Sequence, residues 1–296
     1  MRSRIINKIS NGFNIRDGKM TFKVRRTLGG PVGFLDPFLL LDEMKIEDPE
    51  IYKDGFPPHP HRGFMTLTYM IKGSMEHKDT KGNHGIVTPG SLQLMKAGRG
   101  IIHSEIPKPD DITGKCGLLH GYQLWLNLKS SEKMSDPTYL NISSKEIPEI
   151  YIDDCYEKKV RVIAGKFKGI EGAIKSLKTI DPLFLDIQLK SNSKISIDLP
   201  NSIYNTFIYV VNGKASFGPF ENRDQIKEIQ HSNIGIFNND GDKIDVSTSS
   251  TDQVRFLLLS AKPIKEPIVL KGSFVMNTQK EIDQAYLDYE NGILDK

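Results

Sequence analysis

Two short pairs of residues carry side chains that bind metal ions. His59 and His61 form one pair, His103 and Glu105 form the other, and a single residue separates the members of each pair. Residues two apart on a β-strand project from the same face, about 6.6 Å apart at about 3.3 Å rise per residue, and adjacent strands lie about 4.8 Å apart. If the two segments are neighbouring strands, three imidazoles and one carboxylate therefore converge on one divalent cation.

This ligand set contains no thiolate, which favours a metal ion of borderline to hard character. Imidazole and carboxylate suit iron, manganese, nickel, copper or zinc. We predict Fe(II), with the other divalent transition metals as alternatives. Four protein ligands leave two positions of an octahedron open for a chelating substrate, or for water and dioxygen, whereas a structural zinc site fills its four positions with protein. The open positions indicate chemistry rather than support of the fold.

One of the predicted strands that position these side chains contains a proline, which disfavours strand pairing. Pro60 stands between the two histidines of the first pair, and proline cannot donate a hydrogen bond to a strand ladder. Proline is tolerated at the start of a strand or at the edge of a sheet. We therefore expect this pair at an edge, near the mouth of its domain. A lone His-x-His pair is usually structural or exposed, so it is the second pair that favours a metal site.

Length and composition indicate a soluble globular protein of about two domains. The chain has 296 residues, of which 38% are hydrophobic and 26% charged, and its net charge is +3. No apolar run approaches the roughly 20 residues that cross a bilayer, and the N-terminus lacks the apolar stretch of a secretion signal. We predict a cytoplasmic protein, or a nuclear one if the source is eukaryotic, with no membrane contact. Dispersed basic residues predict no direct nucleic-acid binding.

Short alternating runs bounded by Gly, Pro, Asn and Asp dominate the chain, and this pattern predicts an all-β sandwich or barrel. In the first half the runs cover residues 64–71, 74–78, 85–87, 91–95 and 123–128. Residues 80–83 predict a hairpin turn, because Gly and Asn tolerate positive φ. The polar stretch 129–137 marks a domain boundary. We assign residues 1–133 to an N-terminal metal-binding domain and residues 134–296 to a C-terminal domain.

The second domain repeats the same pattern. Its predicted strands cover residues 159–164, 183–189, 194–199, 206–211, 214–217, 235–237 and 254–260. It contains one histidine, His231, which we expect to face solvent, so this domain is predicted to lack a metal site. Residues 278–281 form a capping box, and Ile282, Ala285, Tyr286 and Tyr289 follow at helical spacing. This predicts one terminal helix that packs its apolar face on the sandwich.

Other residues near the two pairs are interpreted first as structural. His77 and His84 flank the predicted hairpin turn, where exposed or hydrogen-bonded histidines are common, and His120 is treated in the same way. Arg62 and Arg99 are expected to be solvated, because charged loop residues usually are. Four apolar residues near the two pairs either line a flat cavity for an aromatic substrate or fill the core, and we favour the core. These residues are Phe56, Phe64, Met95 and Trp125. Cys116 and Cys155 lack metal or redox spacing and are interpreted as ordinary small residues.

Longer stretches of the sequence resemble the pirin family, within the cupin superfamily. These stretches are VRRTLGG, DPFLLLDE, FPPHPHRGF, EHKDTKGN, TPGSLQLMKAGRGIIHSE, QLWLNL and GSFVMNT. The resemblance spans nearly the whole chain and is strongest over residues 24–128 and 272–292. It implies an all-β bicupin of two stacked jelly-roll β-barrels with a short C-terminal α-helix. It also implies iron in the N-terminal barrel only, held by His59, His61, His103 and Glu105.

The resemblance implies two functions of different class. Some pirin-like proteins resemble quercetin 2,3-dioxygenases, which open a flavonol ring with O2 and release carbon monoxide. Others are described as nuclear, iron-dependent co-regulators that bind transcription factors. The enzyme hypothesis, which we favour, expects a small aromatic substrate such as a flavonol, with Glu105 as both metal ligand and the base that accepts the hydroxyl proton. The regulatory hypothesis expects a protein partner whose affinity follows the redox state of the metal.

Overall fold

Antiparallel β-strands account for most of the regular structure in the computed structural model, which describes residues 2–16, 23–109, 117–152 and 157–296. Cys116 and Cys155 lie outside the described residues, so their interpretation stays a prediction. Within those ranges no helix is both long enough and apolar enough to cross a membrane. The cytoplasmic location stays a prediction from the sequence.

The described elements confirm the all-β prediction. The strands up to residue 142 are β1 (Ile6–Ser10), β2 (Phe13–Ile15), β3 (Val24–Leu28), β4 (Phe38–Ile46), β5 (Phe56–His61), β6 (Phe64–Lys72), β7 (Ser74–Asp79), β8 (His84–Val87), β9 (Leu92–Lys96), β10 (Ile101–Lys108), β11 (Leu119–Asn127) and β12 (Thr138–Ile142). The later strands are β13 (Glu149–Tyr151), β14 (Lys158–Ala164), β15 (Lys166–Phe167), β16 (Ile170–Glu171), β17 (Leu183–Leu189), β18 (Lys194–Asp198), β19 (Asn205–Phe217), β20 (Lys227–Gln230), β21 (Ile234–Phe237), β22 (Lys243–Ser247), β23 (Val254–Ala261), β24 (Val269–Lys271) and β25 (Phe274–Met276). The α-helices are α1 (Pro49–Tyr52), α2 (Ser130–Lys133) and α3 (Gln279–Glu290), and short 3-10 turns cover Gly30–Val32, Ser144–Glu146 and Arg223–Gln225.

The chain divides into two compact units, and each unit combines two separate stretches of sequence. One unit contains Phe13–Lys145 and Ile264–Lys296, and the other contains Met1–Gly12 and Glu146–Pro263. The C-terminal stretch therefore packs with the first half of the chain. The predicted domain boundary between residues 133 and 134 divides the sequence once, whereas each compact unit combines two stretches. The boundary stays a prediction.

The unit that contains Phe13–Lys145 holds two larger sheets and the two-stranded sheet β24-β25. A seven-stranded sheet has the order β12-β9-β6-β11-β4-β3-β2, and a four-stranded sheet has the order β5-β10-β7-β8. The predicted hairpin turn joins β7 to β8, closed by a hydrogen bond from the Asp79 amide to the Asn83 carbonyl oxygen at 3.1 Å. The four-stranded sheet makes β5 and β10 neighbours, so the two metal-binding motifs lie side by side.

The unit that contains Glu146–Pro263 is filled by one large apolar cluster. Val162, Leu185, Ile208, Phe217 and Phe256 are among its buried members. Two predicted strands, 206–211 and 214–217, form the single strand β19, because the chain bulges between Val210 and Asn212 and continues. Gly213 has a φ of 73°, which glycine adopts without strain, so the strand bends there rather than ending. His231 is exposed, as predicted.

The predicted terminal helix and its capping box are confirmed. The Thr278 hydroxyl accepts from the Glu281 amide at 3.3 Å, and the Glu281 carboxylate accepts from the Thr278 amide at 2.8 Å. These two bonds satisfy donors that a helix N-terminus otherwise leaves without partners. Ile282 and Ala285 are buried against β25. The apolar face of α3 thus packs on the strands, as expected.

Candidate metal centre

Pairing of β5 with β10 brings the three predicted imidazoles together. The two strands are antiparallel, and their register sets His59 directly opposite His103. The ring centroids of His59 and His103 are 4.3 Å apart, those of His59 and His61 4.7 Å, and those of His61 and His103 4.8 Å. One nitrogen atom from each ring lies within 4.8 Å of the other two. The cluster is therefore compact enough to surround a single ion.

The irregular register lies in the strand that carries the first motif. β5 is at the edge of its sheet, so Pro60 removes no hydrogen bond from an interior ladder, as predicted. Opposite the two residues from His103 to Glu105, β5 advances by three residues, from His59 to Phe56. The pairing of β10 with β7 stays regular through the same residues. His103 and Glu105 therefore keep the two-residue spacing of a regular strand and project from the same face.

Contacts on the outer side of the rings indicate which nitrogen faces the cluster. Nδ1 of His59 lies 2.8 Å from the Pro57 carbonyl oxygen, and Nδ1 of His61 lies 3.3 Å from the Ser273 carbonyl oxygen. A carbonyl oxygen only accepts, so each Nδ1 carries the proton, and in a neutral ring Nε2 keeps its lone pair. Nε2 of His103 is buried and has no hydrogen-bond partner among the described residues. Burying a polar atom in this state costs free energy, and an ion at the cluster would remove that cost.

Burial keeps two of the rings neutral. It lowers the pKa of His61 well below its ordinary value, and the neighbouring His59 lowers this pKa further. The pKa of His103 is lowered well below its ordinary value by burial first, and then by the surrounding histidines. Metal ions bind the neutral imidazole, because protonation would occupy the lone pair. The residues present therefore fit a transition-metal ion.

Glu105 lies in the wall of the cavity that His59 and His61 also line. Its side chain is almost fully buried, and its carboxylate accepts hydrogen bonds from the Thr68 hydroxyl at 3.3 Å and the Gln123 amide at 3.4 Å. Burial raises the pKa of Glu105 to about 7, and both hydrogen bonds oppose that shift. The compact cluster consists of the three imidazoles. The role of Glu105 as a fourth ligand stays a prediction.

The cavity beside the cluster has a volume of about 610 Å³, within the range of small-molecule sites. Phe56 and Trp125 supply aromatic wall, while Asp42 and Gln123 supply polar groups. The other two apolar residues singled out from the sequence, Phe64 and Met95, are fully buried in the core. Trp125 is buried as well and packs in an apolar cluster with Phe64, so most of the four residues belong to the core, as expected, although Phe56 and Trp125 also line the cavity.

The C-terminal stretch contributes residues to the cavity wall that the sequence did not assign to the site. Gly272, Ser273 and Tyr289 line the cavity, and the amide of Val275 donates to the Arg62 carbonyl oxygen at 3.0 Å. Gly63 allows this approach: its φ is 85°, and a Cβ there would lie 2.0 Å from the Val275 carbonyl oxygen. The GSFVMNT stretch was noticeable only as a family resemblance. No local pattern links it to a motif that lies about 200 residues earlier.

The remaining predicted residues have structural partners. His84 is exposed and contacts Glu76 at 2.9 Å. His120 is buried, and its Nε2 lies 2.9 Å from the Glu43 carboxylate. Arg62 was expected to be solvated, and this is wrong: it is buried and pairs with Asp288. The ion pair supplies the compensation that a buried guanidinium requires.

Comparisons with known proteins agree with this architecture. The Pirin family model matches residues 21–126, and a model described as the pirin C-terminal cupin domain matches residues 184–295. Human pirin is 40% identical over 271 residues, which is 91% of this chain and 87% of that protein. A Pseudomonas aeruginosa protein provisionally named as a quercetin 2,3-dioxygenase is 36% identical, with 99% of each chain covered. The crystal structure of a quercetin 2,3-dioxygenase from Acinetobacter baumannii gives a TM-score of 0.83 at 29% identity, covering 99% of this chain and 98% of that one. The predicted fold of two cupin domains is confirmed.

Proposed function

Because the chain belongs to the pirin family, we propose that it is an iron-dependent dioxygenase of the quercetin 2,3-dioxygenase type. The proposed ligands of the Fe(II) ion are His59, His61, His103 and Glu105. The observation that supports this most directly is the compact group of three imidazoles, two of them buried and neutral, at the wall of a cavity. When bound, Fe(II) supplies Lewis-acid stabilisation of the substrate anion. The named relatives support the choice of flavonol and O2 as substrates.

In this proposal the protein binds, orients and deprotonates the flavonol. Phe56 and Trp125 line the cavity and contact the flat ring system. Glu105 accepts the proton of the 3-hydroxyl. Without the ion, burial disfavours the charged form of this carboxylate and raises its pKa, which favours uptake of a proton. Thr68 and Gln123 hold the carboxylate in place through their hydrogen bonds.

The direct test follows the flavonol absorbance band in air. Protein loaded with Fe(II) under anaerobic conditions and then exposed to air should bleach the band and release carbon monoxide in step with the flavonol consumed. Metal-free protein is the control and should leave the band intact. If the iron-loaded protein binds the flavonol but the band persists in air, the enzymatic proposal is wrong.

Replacing Glu105 with glutamine should slow ring cleavage by about 100-fold, the order of magnitude that a general base supplies. Glutamine has nearly the same shape but cannot take up the hydroxyl proton, and it is a weaker ligand than carboxylate. Cleavage rate and bound iron are measured on the same preparation. Glu76→Gln is the control, because Glu76 pairs with His84 on a neighbouring hairpin. A Glu105→Gln variant that keeps its iron and its full cleavage rate would contradict the base assignment.

Flavonol binding should quench most of the intrinsic tryptophan fluorescence. Trp125 is the single tryptophan of the chain, it lines the cavity, and its ring centroid lies 5.3 Å from that of His61. The measurement is a fluorescence titration of the metal-loaded protein. A flavone that lacks the 3-hydroxyl has a matching shape and should require at least about tenfold more ligand, because a site built for a hydroxyl rejects an analogue without it. Unchanged emission at a flavonol concentration that calorimetry shows to be saturating would exclude this cavity as the site.

The metal and the reaction class are tested separately. Metal analysis after purification without added metals should find iron, and another divalent transition metal in its place would correct the identity of the ion but retain the site. The alternative function is that of a redox-sensitive regulatory protein that binds a protein partner. It rests on the family resemblance alone, and iron binding without flavonol cleavage would favour it.

A further inference from the structure

A chain of polar contacts runs from His103 away from the cavity. Nδ1 of His103 lies 3.3 Å from Nδ1 of His77, and Nε2 of His77 lies 3.1 Å from an oxygen of Asp79. The side chains of His77 and Asp79 are fully buried. Both come from β7, which borders β10 on the side opposite β5. The contact chain therefore joins the histidine cluster to a carboxylate on the third strand of the same sheet.

The Asp79 carboxylate determines which ring nitrogens of His77 and His103 carry protons. Because the Asp79 carboxylate only accepts, Nε2 of His77 carries a proton and Nδ1 of the neutral ring keeps its lone pair. Nδ1 of His103 then donates to that lone pair, and the second proton site of His103, Nε2, is left as an acceptor. This Nε2 is buried and lacks a hydrogen-bond partner in the part of the chain that the structure describes. The side-chain nitrogen of Gln93 lies 3.2 Å from the same Nδ1 of His77, so the two donors share this lone pair.

Neighbouring groups fix the orientations of the Asp79 carboxylate and the His77 ring. One oxygen of Asp79 accepts from the amides of Lys81 at 2.9 Å and Asn83 at 3.0 Å, and the other accepts from the Asn83 side chain at 2.8 Å. The ring of His77 stacks on Tyr139 with centroids 4.7 Å apart. The hairpin turn thus aims the carboxylate at His77. A freely rotating side chain would not select one proton position.

We propose that Asp79 and His77 form a positioning pair that keeps the proton of His103 on Nδ1 and so holds its Nε2 ready to bind metal. The inference rests on the metal site of the proposed function and adds no further ligand to it. In the described structure, His59 and His61 instead use backbone carbonyl oxygens for the same purpose. A carboxylate acting through a second imidazole makes His103 a more basic ligand than a carbonyl does, because it polarises the ring more strongly.

The test is Asp79→Asn, which keeps the shape of the side chain and reverses one contact. The asparagine oxygen must face the two backbone amides of the turn, because these donors are fixed, whereas the Asn83 side-chain amide can turn over and accept. Its NH2 group then donates to Nε2 of His77, His77 donates from Nδ1, and the proton of His103 is forced onto Nε2. We expect the dissociation constant for Co²⁺ to rise about 10- to 100-fold, the usual effect of losing an outer contact of a ligand.

Two further variants separate this role from packing. His77→Asn keeps an oxygen acceptor near Nδ1 of His103 and should bind Co²⁺ more tightly than His77→Leu, which offers none. His84→Asn is the matched control: His84 lies in the same hairpin, is exposed and contacts Glu76, so its replacement should leave Co²⁺ binding unchanged. If His77→Leu binds Co²⁺ as well as His77→Asn does, the positioning role is overturned, even where Asp79→Asn fails to fold.

A second readout does not depend on metal. Imidazole ¹⁵N spectra of the metal-free protein should show His103 protonated at Nδ1 in the wild type and at Nε2 in Asp79→Asn. Failure of the wild type to bind Co²⁺ would overturn the proposed metal site. The spectra would then still show whether Asp79 and His77 keep the proton of His103 on Nδ1. A folded Asp79→Asn variant with wild-type Co²⁺ affinity and a proton on Nδ1 of His103 would overturn the pair and leave the metal site intact.

Discussion

The double replacement His59→Ala and His61→Ala is expected to abolish both metal binding and flavonol cleavage. It removes two of the three imidazoles that converge on one point and leaves His103 with Glu105. The loss of affinity should exceed about 100-fold, because the loss of a single outer contact already costs about 10- to 100-fold. Metal content after anaerobic loading and desalting measures the first effect, and the flavonol absorbance band in air measures the second.

Two exposed histidines supply the controls for this variant. His84→Ala and His231→Ala also remove an imidazole, and neither side chain belongs to the cluster. Both single variants should keep the metal content and cleavage rate of the wild type. A double variant that still binds a full equivalent of metal, with the controls behaving as expected, would show that the cluster is not the metal site.

Arg62→Met should lower the free energy of unfolding by about 3 kcal/mol, the cost of removing one partner of a buried ion pair. The guanidinium of Arg62 is buried, donates to the Asp288 carboxylate at 2.6 Å and also contacts the Leu294 carbonyl oxygen at 3.4 Å. Methionine retains the apolar stem but lacks the guanidinium, so the Asp288 carboxylate loses its ion-pair partner and keeps the hydrogen bond from Gln284. The urea midpoint of unfolding, compared at equal slope, measures the change.

Arg99→Met is the matched control for this prediction. Arg99 pairs with Asp136 near the surface, where its side chain is 41% exposed, and exposed pairs contribute less than about 1 kcal/mol. Arg62→Met should also reduce metal retention, because Arg62 anchors α3, and this C-terminal stretch also carries Ser273, the partner of His61. If both variants shift the urea midpoint equally, the buried ion pair is not a major source of stability.

Several features followed from local rules of the sequence. Alternation with a period of two identified strands such as β6 and β17, since the side chains of a strand point to opposite faces in turn. The capping box located the start of α3 because its two hydrogen bonds involve residues only three apart. The spacing within the two metal-binding pairs also depends on neighbouring residues alone. All of these are short-range consequences of backbone geometry.

The site required contacts between distant parts of the chain. That β10 lies between β5 and β7 is a matter of sheet order, and only this order places His77 and Asp79 behind His103. The bulge in β5 and the return of the C-terminal stretch to the cavity wall are likewise absent from any local pattern. Strand register and order are selected by which faces bury together over the whole fold. A short window of sequence contains the residues of the site but not the neighbours that orient them.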